Sequence, residues 1–463
     1  MIALRAECIP IAGAPAPRSA VADGLPAPRR HFALAAILLS IGMAALDGTI
    51  VTIALPTLAQ ELGVTASAAV WIVTAYQIAM VGSLFGFAAL GEILGFRRVY
   101  LFGMVLFVSA AAVCALSQEF VPLLLARAAQ GVGGAAILSN TPAMMRFSQP
   151  QNQLGRTFGM LATTVALCSA AAPSLGAAIL AFGHWQWLFA INLPIGFVAL
   201  AFLRSLPDAR GTARRFDWLS AALNAFFFAL LILGVDRLAE APAIARACLA
   251  AAAIAGAVLI GRERSRAAPI VPVDLVRIPA FAFAVSASTC LFAAQMCAFV
   301  ALPFLLQREI GLTASGTALL MTAWPATLAV FAPAAGWLAD RFPASLLCAG
   351  GGALMALCLA ALGLWPDGLA GTPMAIVIAL SGVGFGLFQT PNNRAMLLAA
   401  PRERSGAAGG SLATARQFGQ AVGAVFVALC LAMFVQQGPR AALLLGAALA
   451  LVAATISLRR PPA

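Results

Sequence analysis

The sequence has few charged residues and no lysine at all. Charged residues make up 10% of its 463 positions and hydrophobic residues 62%, whereas a soluble domain carries about 25% charge. This composition excludes an ordinary soluble protein. The net charge is +12, and all 28 basic residues counted in it are arginines. We expect no nucleic-acid partner, because those arginines are distributed as in the loops of a membrane protein.

Metal-ligating and nucleophilic residues are also sparse. The sequence has two histidines and nine cysteines, with no Cys-x-x-Cys pair and no histidine near a cysteine. Zinc sites and disulfide frameworks need such clusters. We therefore predict no metal, no cofactor and no disulfide framework, and the lack of a nucleophile motif argues against an enzyme.

Long apolar runs fill most of the chain. Each run is about 20 residues long, as a helix needs to cross about 30 Å of hydrocarbon. The pattern predicts an all-α integral membrane protein with 14 transmembrane helices. The predicted spans are 32–55, 68–90, 97–117, 120–145, 155–181, 186–204, 217–236, 246–261, 279–304, 316–338, 344–364, 372–393, 405–433 and 439–458. Residues 1–31 are predicted to be a disordered cytoplasmic tail.

Arginine is distributed unevenly between the loops of this topology. The even-numbered loops and the two termini hold most of it, and the opposite loops hold only Arg237, Arg246, Arg308 and Arg440. Cytoplasmic loops of membrane proteins carry an excess of basic residues. The distribution therefore predicts a multi-pass inner-membrane protein with both termini in the cytoplasm.

Three charged residues fall well inside predicted spans: Asp47, Arg127 and Arg416. A charge at this depth costs about 2.5–3.5 kcal/mol on insertion scales, and such residues commonly line a transport pathway or pair with one another. Asp47 could carry a proton, because burial disfavours its ionised form. It could equally form an ion pair with Arg127 that only holds helices together. Arg127 shares a helix face with Gly131, where another helix can approach closely.

Two loops, "AALGEILGFRRVY" and "GWLADRFPASL", carry the same acidic device in the two halves of the chain. In each, an acid near the end of a helix opposes the helix dipole and needs a basic partner. Pairs that can break and re-form suit a gate, although an incidental acid in a basic loop is the alternative. The residues predicted to form these gating relays are Glu92, Arg97, Arg98, Asp340 and Arg341.

Several segments resemble motifs of the major facilitator superfamily, in particular its fourteen-span drug:proton antiporters of the EmrB/QacA type. "LDGTIVTIALP" is similar to the first-helix motif, "ALGEILGFRR" to the motif between the second and third helices, and "LLLARAAQGVGGAA" to the fourth-helix motif. "HWQWLFAINLPIG" and "RRFDW" resemble further hallmarks of that group. The resemblance runs from about Phe32 to Arg460.

The resemblance implies roles for residues at matching positions. Asp47 stands where an aspartate is implicated in coupling, and Arg127 where an arginine is thought to assist proton movement. In the fifth helix, "CSAAAPSLGAA" keeps Pro173 and Gly176 of the antiporter motif but has Cys168 and alanines where glycine is usual. Small residues still permit close helix packing there.

The fold implied by the resemblance has two six-helix bundles, 32–204 and 266–463, with two inserted transmembrane helices at 205–265. The implied function is a proton-coupled multidrug efflux transporter that exports lipophilic, cationic toxic compounds by alternating access. Its partners would be small-molecule substrates, protons and the lipid bilayer. A periplasmic adaptor is left open, and we expect a functional monomer. The alternative is a permease, proton-coupled or facilitative, for a small metabolite that could be anionic and bind Arg127 and Arg416.

The substrate cavity is expected between the bundles near the bilayer midplane, with mostly apolar walls. Polar residues within the spans are weak candidates for it, because interhelical hydrogen bonding explains each of them equally well. These candidates are Tyr76, Gln77, Asn140, Gln295, Asn392, Asn393 and Arg416.

Overall fold

The computed structural model describes residues 24–150, 153–208, 216–238, 241–264, 273–339, 341–366, 371–400, 405–434 and 436–461. Across these residues the chain is all-α. They contain 14 helical segments long and apolar enough to cross a membrane, which confirms the predicted number. The first helix begins at Ala27 rather than at residue 32. Residues 1–23 of the predicted tail lie outside the described residues.

The helices follow one another with short connections. The first bundle and the inserted pair comprise α1 (Ala27–Glu61), α2 (Ala66–Leu94), α3 (Phe96–Leu116), α4 (Phe120–Ser148), α5 (Leu154–Phe182), α6 (Trp187–Ala190), α7 (Asn192–Phe202), α8 (Trp218–Asp236) and α9 (Pro242–Arg264). The second bundle comprises α10 (Val273–Val276), α11 (Pro279–Phe304), α12 (Ala314–Ala339), α13 (Ala344–Gly363), α14 (Thr372–Ala399), α15 (Ser405–Met433) and α16 (Gly438–Leu458). The short helices α6 and α7, with the 3₁₀ turn that follows them, make one span.

Local sequence explains where several helices begin and end. The Thr65 hydroxyl accepts a hydrogen bond from the Ala68 amide at 3.2 Å and so caps the start of α2. Gly95 separates α2 from α3 with a φ of 96°, a conformation that favours glycine. Pro303 cannot donate a backbone hydrogen bond, and α11 passes into a π-helical turn at Leu305–Glu309.

The two bundles meet mainly on one side of the protein. We call the side where α1 begins and α16 ends the arginine-rich face, and the other side the distal face. One apolar cluster joins both bundles, and it contains Ile50 and Leu58 of α1 together with Leu305 and Trp324 of the second bundle. All four lie in the distal halves of their segments.

Towards the arginine-rich face each bundle has an apolar cluster of its own. Ile37 and Tyr100 belong to the cluster of the first bundle, and Phe281 and Met396 to that of the second. The bundles therefore share one large cluster at the distal face, whereas at the arginine-rich face their clusters are separate and Ala413 of α15 packs against that of the first bundle.

Two uncharged hydrogen bonds cross between the bundles in their distal halves. The hydroxyls of Ser174 on α5 and Thr322 on α12 are 2.8 Å apart. The Gln307 side-chain amide, in the π-helical turn, donates to the Ile53 carbonyl on α1 at 3.2 Å. They reinforce the apolar seal.

The inserted helix α8 covers part of the seam between the bundles. It packs on α2 of the first bundle and on α15 of the second. The Asn224 amide donates to the Gly82 carbonyl of α2 at 2.9 Å, and the Phe228 ring lies 5.1 Å from the Phe418 ring of α15. The seam between α2 and α15 is thus shielded by protein.

Candidate proton-coupling and substrate site

Asp47 lies in the middle of α1 with no solvent exposure. Its Oδ2 accepts a hydrogen bond from Arg127 Nη1 at 2.6 Å. Its Oδ1 accepts from the amides of Gln130 at 3.0 Å and Asn192 at 2.7 Å. The carboxylate is therefore held by three donors from α4 and α7, and one of them is a guanidinium.

Arg127 is fixed as firmly as its partner. Its Nε donates to the Ile72 carbonyl of α2 at 3.2 Å, and its Nη1 also donates to Gln130 Oε1 at 2.7 Å. The guanidinium carbon lies 4.4 Å from the centre of the Tyr76 ring, where a cation is attracted to the aromatic face. The ion pair thus connects α1, α2, α4 and α7.

Small residues let α4 carry Arg127 so close to α2. Gly131 packs against the Tyr76 backbone, and a side chain at this position would collide with the Tyr76 carbonyl. Because residues three apart share a helix face, Gln130 faces Asp47 together with Arg127. Asn192 is the first residue of α7, directly after Ile191, which joins α6 to α7 with helical dihedral angles, and its amide reaches the carboxylate from there.

The antiporter-like segment of α5 packs on α1 beside the site. Pro173 is buried, and Gly176 lies against Ile50, whose carbonyl would be 3.3 Å from an added Cβ. Cys168, which replaces a usual glycine, is accommodated because Gly42 of α1 faces its sulfur. The close packing predicted for this motif is therefore present, with Gly42 of α1 leaving room for Cys168.

The predicted gating residues are only partly brought together in the described structure. Glu92 is exposed near the end of α2 and interacts with neighbouring groups. Arg97 donates to the Arg204 carbonyl at 3.5 Å, and Arg98 is exposed. A charge relay among these residues stays a prediction.

The corresponding loop of the second half is described in part. The Arg341 guanidinium stacks on the Trp337 ring, 3.7 Å from its centre, whereas Asp340 lies outside the described residues. Whether this loop repeats the device of the first half therefore stays a prediction.

Two of the predicted cavity residues bond within their own bundles. The Asn140 amide donates to the Phe87 carbonyl of α2 at 3.2 Å. The Asn392 amide donates to the Ala284 carbonyl at 3.0 Å, and its oxygen accepts from Arg460 at 2.9 Å. A cavity of about 380 Å³ lined by Arg460 lies at the arginine-rich face of the second bundle, away from Asp47. These amides hold helices together.

The other candidates include amides with unused hydrogen-bonding capacity. Buried side-chain oxygens of Gln77, Gln295 and Asn393 have no hydrogen-bond partner in the structure. Tyr76 is buried between the Asp47 network and the seam with α15, within electrostatic range of Arg127 and of Arg416. Tyr76 therefore connects the Asp47 and Arg127 network with the boundary between the bundles.

Gln130 and Asn192 are the two members of the site that sequence reasoning missed. Both are uncharged, so a search for charges inside spans passes over them. The helical spacing of Gln130 from Arg127 is a signal that could have found the first. The second lies within the quoted "HWQWLFAINLPIG" segment, where its polarity in an apolar run is the available signal.

Comparison with known proteins identifies the superfamily that the sequence motifs resemble. Residues 37–273 and 284–463 match the family described as the Major Facilitator Superfamily. The chain is 45% identical to the "Uncharacterized transporter YebQ" of Escherichia coli (strain K12) over 94% of this chain and 96% of that protein. It is 26% identical to the "Riboflavin transporter RibZ" of Clostridioides difficile (strain 630) over 86% and 87% of the two chains.

A further relative and a solved structure have similar coverage. The chain is 28% identical to the "Multidrug resistance protein Stp" of Mycobacterium tuberculosis (strain CDC 1551 / Oshkosh) over 83% of this chain and 73% of that protein. Its fold is similar to the inward-facing, unoccupied crystal structure of a bacterial homolog of the human lysosomal transporter Spinster. The TM-score is 0.69 at 14% identity, over 94% of this chain and 97% of that one.

Proposed function

Because the chain belongs to the major facilitator superfamily, we propose that it is a proton-driven exporter of lipophilic toxic compounds, of the EmrB/QacA drug:proton antiporter type. The observation that carries this proposal is the enclosed Asp47 and Arg127 pair at 2.6 Å, the one acid far from a helix end in the described spans. The relative named for multidrug resistance supports drug export, and the relative named for riboflavin transport supports a wider substrate range.

A proton on Asp47 would change the contacts of three helices at once. The ionised carboxylate is the acceptor for Arg127, Gln130 and Asn192. Protonation removes the negative charge that offsets the guanidinium, so the bonds from α4 and α7 to α1 weaken together. A ligand shifts a conformational equilibrium only when it binds the two states differently. The proton meets this condition, because the network accommodates its carboxylate in the ionised form.

Alternating access determines the side of the membrane from which a proton reaches Asp47. The bundles are joined by an apolar cluster and by the Gln307 to Ile53 hydrogen bond at the distal face. We propose that the arginine-rich face is cytoplasmic, in the inner membrane, so that the described arrangement opens inward. Protons then enter Asp47 from outside only after the distal seal parts. Substrates leave in the same state, which couples the two fluxes through one conformational change.

A permease for a small metabolite, proton-coupled or facilitative, is the second candidate. One observation favours it: Arg416 is a half-buried charge within α15 that no described acid neutralises. The direction of substrate flux under an imposed proton gradient separates the two functions, since an antiporter moves substrate against the proton flow and a symporter moves it with the flow. We propose a functional monomer in either case.

The test uses inverted membrane vesicles with a proton gradient, acid inside, and two dyes, ethidium and fluorescein. The wild type is compared with Asp47→Asn and with Asp208→Asn, which makes the same chemical change at an exposed loop acid. We expect gradient-dependent uptake of dye in the wild type and in Asp208→Asn, and none in Asp47→Asn at equal protein amount. Undiminished uptake in Asp47→Asn would show that the Asp47 and Arg127 pair only holds helices together, and that Asp47 does not carry the proton.

A further inference from the structure

Arg416 is a cation in the middle of α15 with no hydrogen bond or ion pair to any described residue. Its Nε atom is inaccessible to solvent and lacks an acceptor. We propose that Arg416 recognises the substrate by binding an anionic oxygen, a carboxylate or phenolate, on a lipophilic molecule. This inference rests on the proposed transport function and names its substrate class.

The position of Arg416 suits a substrate between the bundles. α15 belongs to the second bundle and packs on α2 of the first. Arg416 lies within electrostatic range of Tyr76 of α2, and the Arg127 guanidinium lies 4.4 Å from the centre of the same ring. A molecule held by Arg416 therefore lies near the proton site without occupying it.

Lipid does not supply the missing partner from the side of α8. Ile232 and Val235 of α8 share an apolar cluster with Ala421 and Val425 of α15 and with Ile78 of α2. This cluster closes the seam on the side away from the centre of the protein. Since lipid is excluded on this side, an acceptor can reach the Arg416 guanidinium from the space between the bundles.

Other polar atoms on the same two helices are also unpartnered. The side-chain oxygens of Gln77 on α2 and of Thr414 and Gln417 on α15 are buried and make no hydrogen bond in the structure. Each such group costs about 1–3 kcal/mol unless it is bonded. A substrate with an anionic oxygen for Arg416 and a hydroxyl or amide hydrogen for one of these oxygens would satisfy both needs.

The balance of charge opposes the cationic substrate expected from the sequence. The one acid that lies far from a helix end in the described spans is Asp47, and Arg127 already pairs with it at 2.6 Å. A cation between the bundles would meet the charge of Arg416 and no uncommitted carboxylate. An anion would be attracted by Arg416, and this attraction is strong where water is scarce.

The test measures equilibrium binding of two dyes that share the xanthene ring system and differ in charge, anionic fluorescein and cationic rhodamine 123. Binding to the purified full chain is followed by fluorescence anisotropy, so it needs no proton gradient. The variants are Arg416→Gln and Arg416→Lys, and Arg459→Gln is the control because Arg459 is exposed at the end of α16. Monodisperse elution of each variant establishes that it is folded.

We expect the wild type to bind fluorescein more tightly than rhodamine 123. Arg416→Gln should weaken fluorescein binding by about tenfold to a hundredfold, the effect of losing a hydrogen bond to a charged group. Arg416→Lys should restore part of it, and Arg459→Gln should leave it unchanged. Preference of the wild type for rhodamine 123, or fluorescein binding in Arg416→Gln equal to the wild type, would overturn the inference. Anion binding without gradient-driven uptake would support it and refute only the proposed transport.

Discussion

Replacing Arg127 by methionine removes the ionic partner of Asp47 in a site without solvent exposure. The carboxylate keeps the amides of Gln130 and Asn192, at 3.0 and 2.7 Å, but it loses the charged donor. Breaking a buried ion pair by removing one partner costs about 3–5 kcal/mol. We expect Arg127→Met to lower the free energy of unfolding by this amount near neutral pH.

Replacing the other partner, in Asp47→Leu, should change stability with a different pH dependence. In Arg127→Met the stranded carboxylate can bind a proton and become neutral, so acid restores part of the lost stability. In Asp47→Leu the stranded guanidinium stays charged at every usable pH. Removing both charges together leaves no uncompensated ion, and the double variant should be more stable than either single one.

The assay is the thermal unfolding temperature of purified protein in detergent at pH 5 and pH 8, with Arg459→Met as an exposed control. Arg127→Met should melt several degrees below the wild type at pH 8 and recover towards it at pH 5, and Asp47→Leu should not recover. Equal melting of Arg127→Met and the wild type at pH 8 would refute the reasoning. Equal recovery of both single variants in acid would refute it as well.

Three further substitutions test the helix packing and the distal seal. Gly131→Val should abolish monodisperse protein, because its side chain meets the Tyr76 carbonyl, whereas Gly350→Ala, with open space around it, should elute normally. Gln307→Leu should weaken the distal seal and lengthen the distance between spin labels at positions 61 and 308; an unchanged distance contradicts this. Asn140→Ala should cost about 1 kcal/mol per lost hydrogen bond, seen as a lower melting temperature with dye uptake retained.

The helices could be predicted from the sequence because crossing a bilayer is a one-dimensional requirement. A span needs about 20 apolar residues and internal hydrogen bonds, and both conditions can be read from neighbouring residues. Neighbouring residues also determine where helices end. α2 ends at Gly95, and α11 ends in the π-helical turn before α12. The sixth span, predicted over 186–204, is present over Trp187–Ser205, with helical backbone dihedral angles at the α6–α7 junction, Ile191.

Only the charged residues of the site could be predicted from the sequence. Asp47 and Arg127 stand out because ions are rare in apolar runs, and the structure brings them together, 80 positions apart. Neighbouring residues in the sequence do not indicate whether Asp47 forms an ion pair or carries a proton. In the structure the two roles are compatible. Asn192 comes from a third helix, and its contact with Asp47 depends on how α7 packs on α1, which the apolar pattern does not encode.

The uncharged character of the distal seal has an electrical consequence. Moving one elementary charge across a membrane is worth about 2.3 kcal/mol per 100 mV, but Ser174, Thr322 and Gln307 join the bundles without formal charge. The membrane voltage therefore does no direct work on parting the seal. It acts on the charges that cross with the cargo, on Asp47 as it changes protonation, and on Arg416 within α15, so voltage acts on the protein through these charges and not through the groups that close the distal seal.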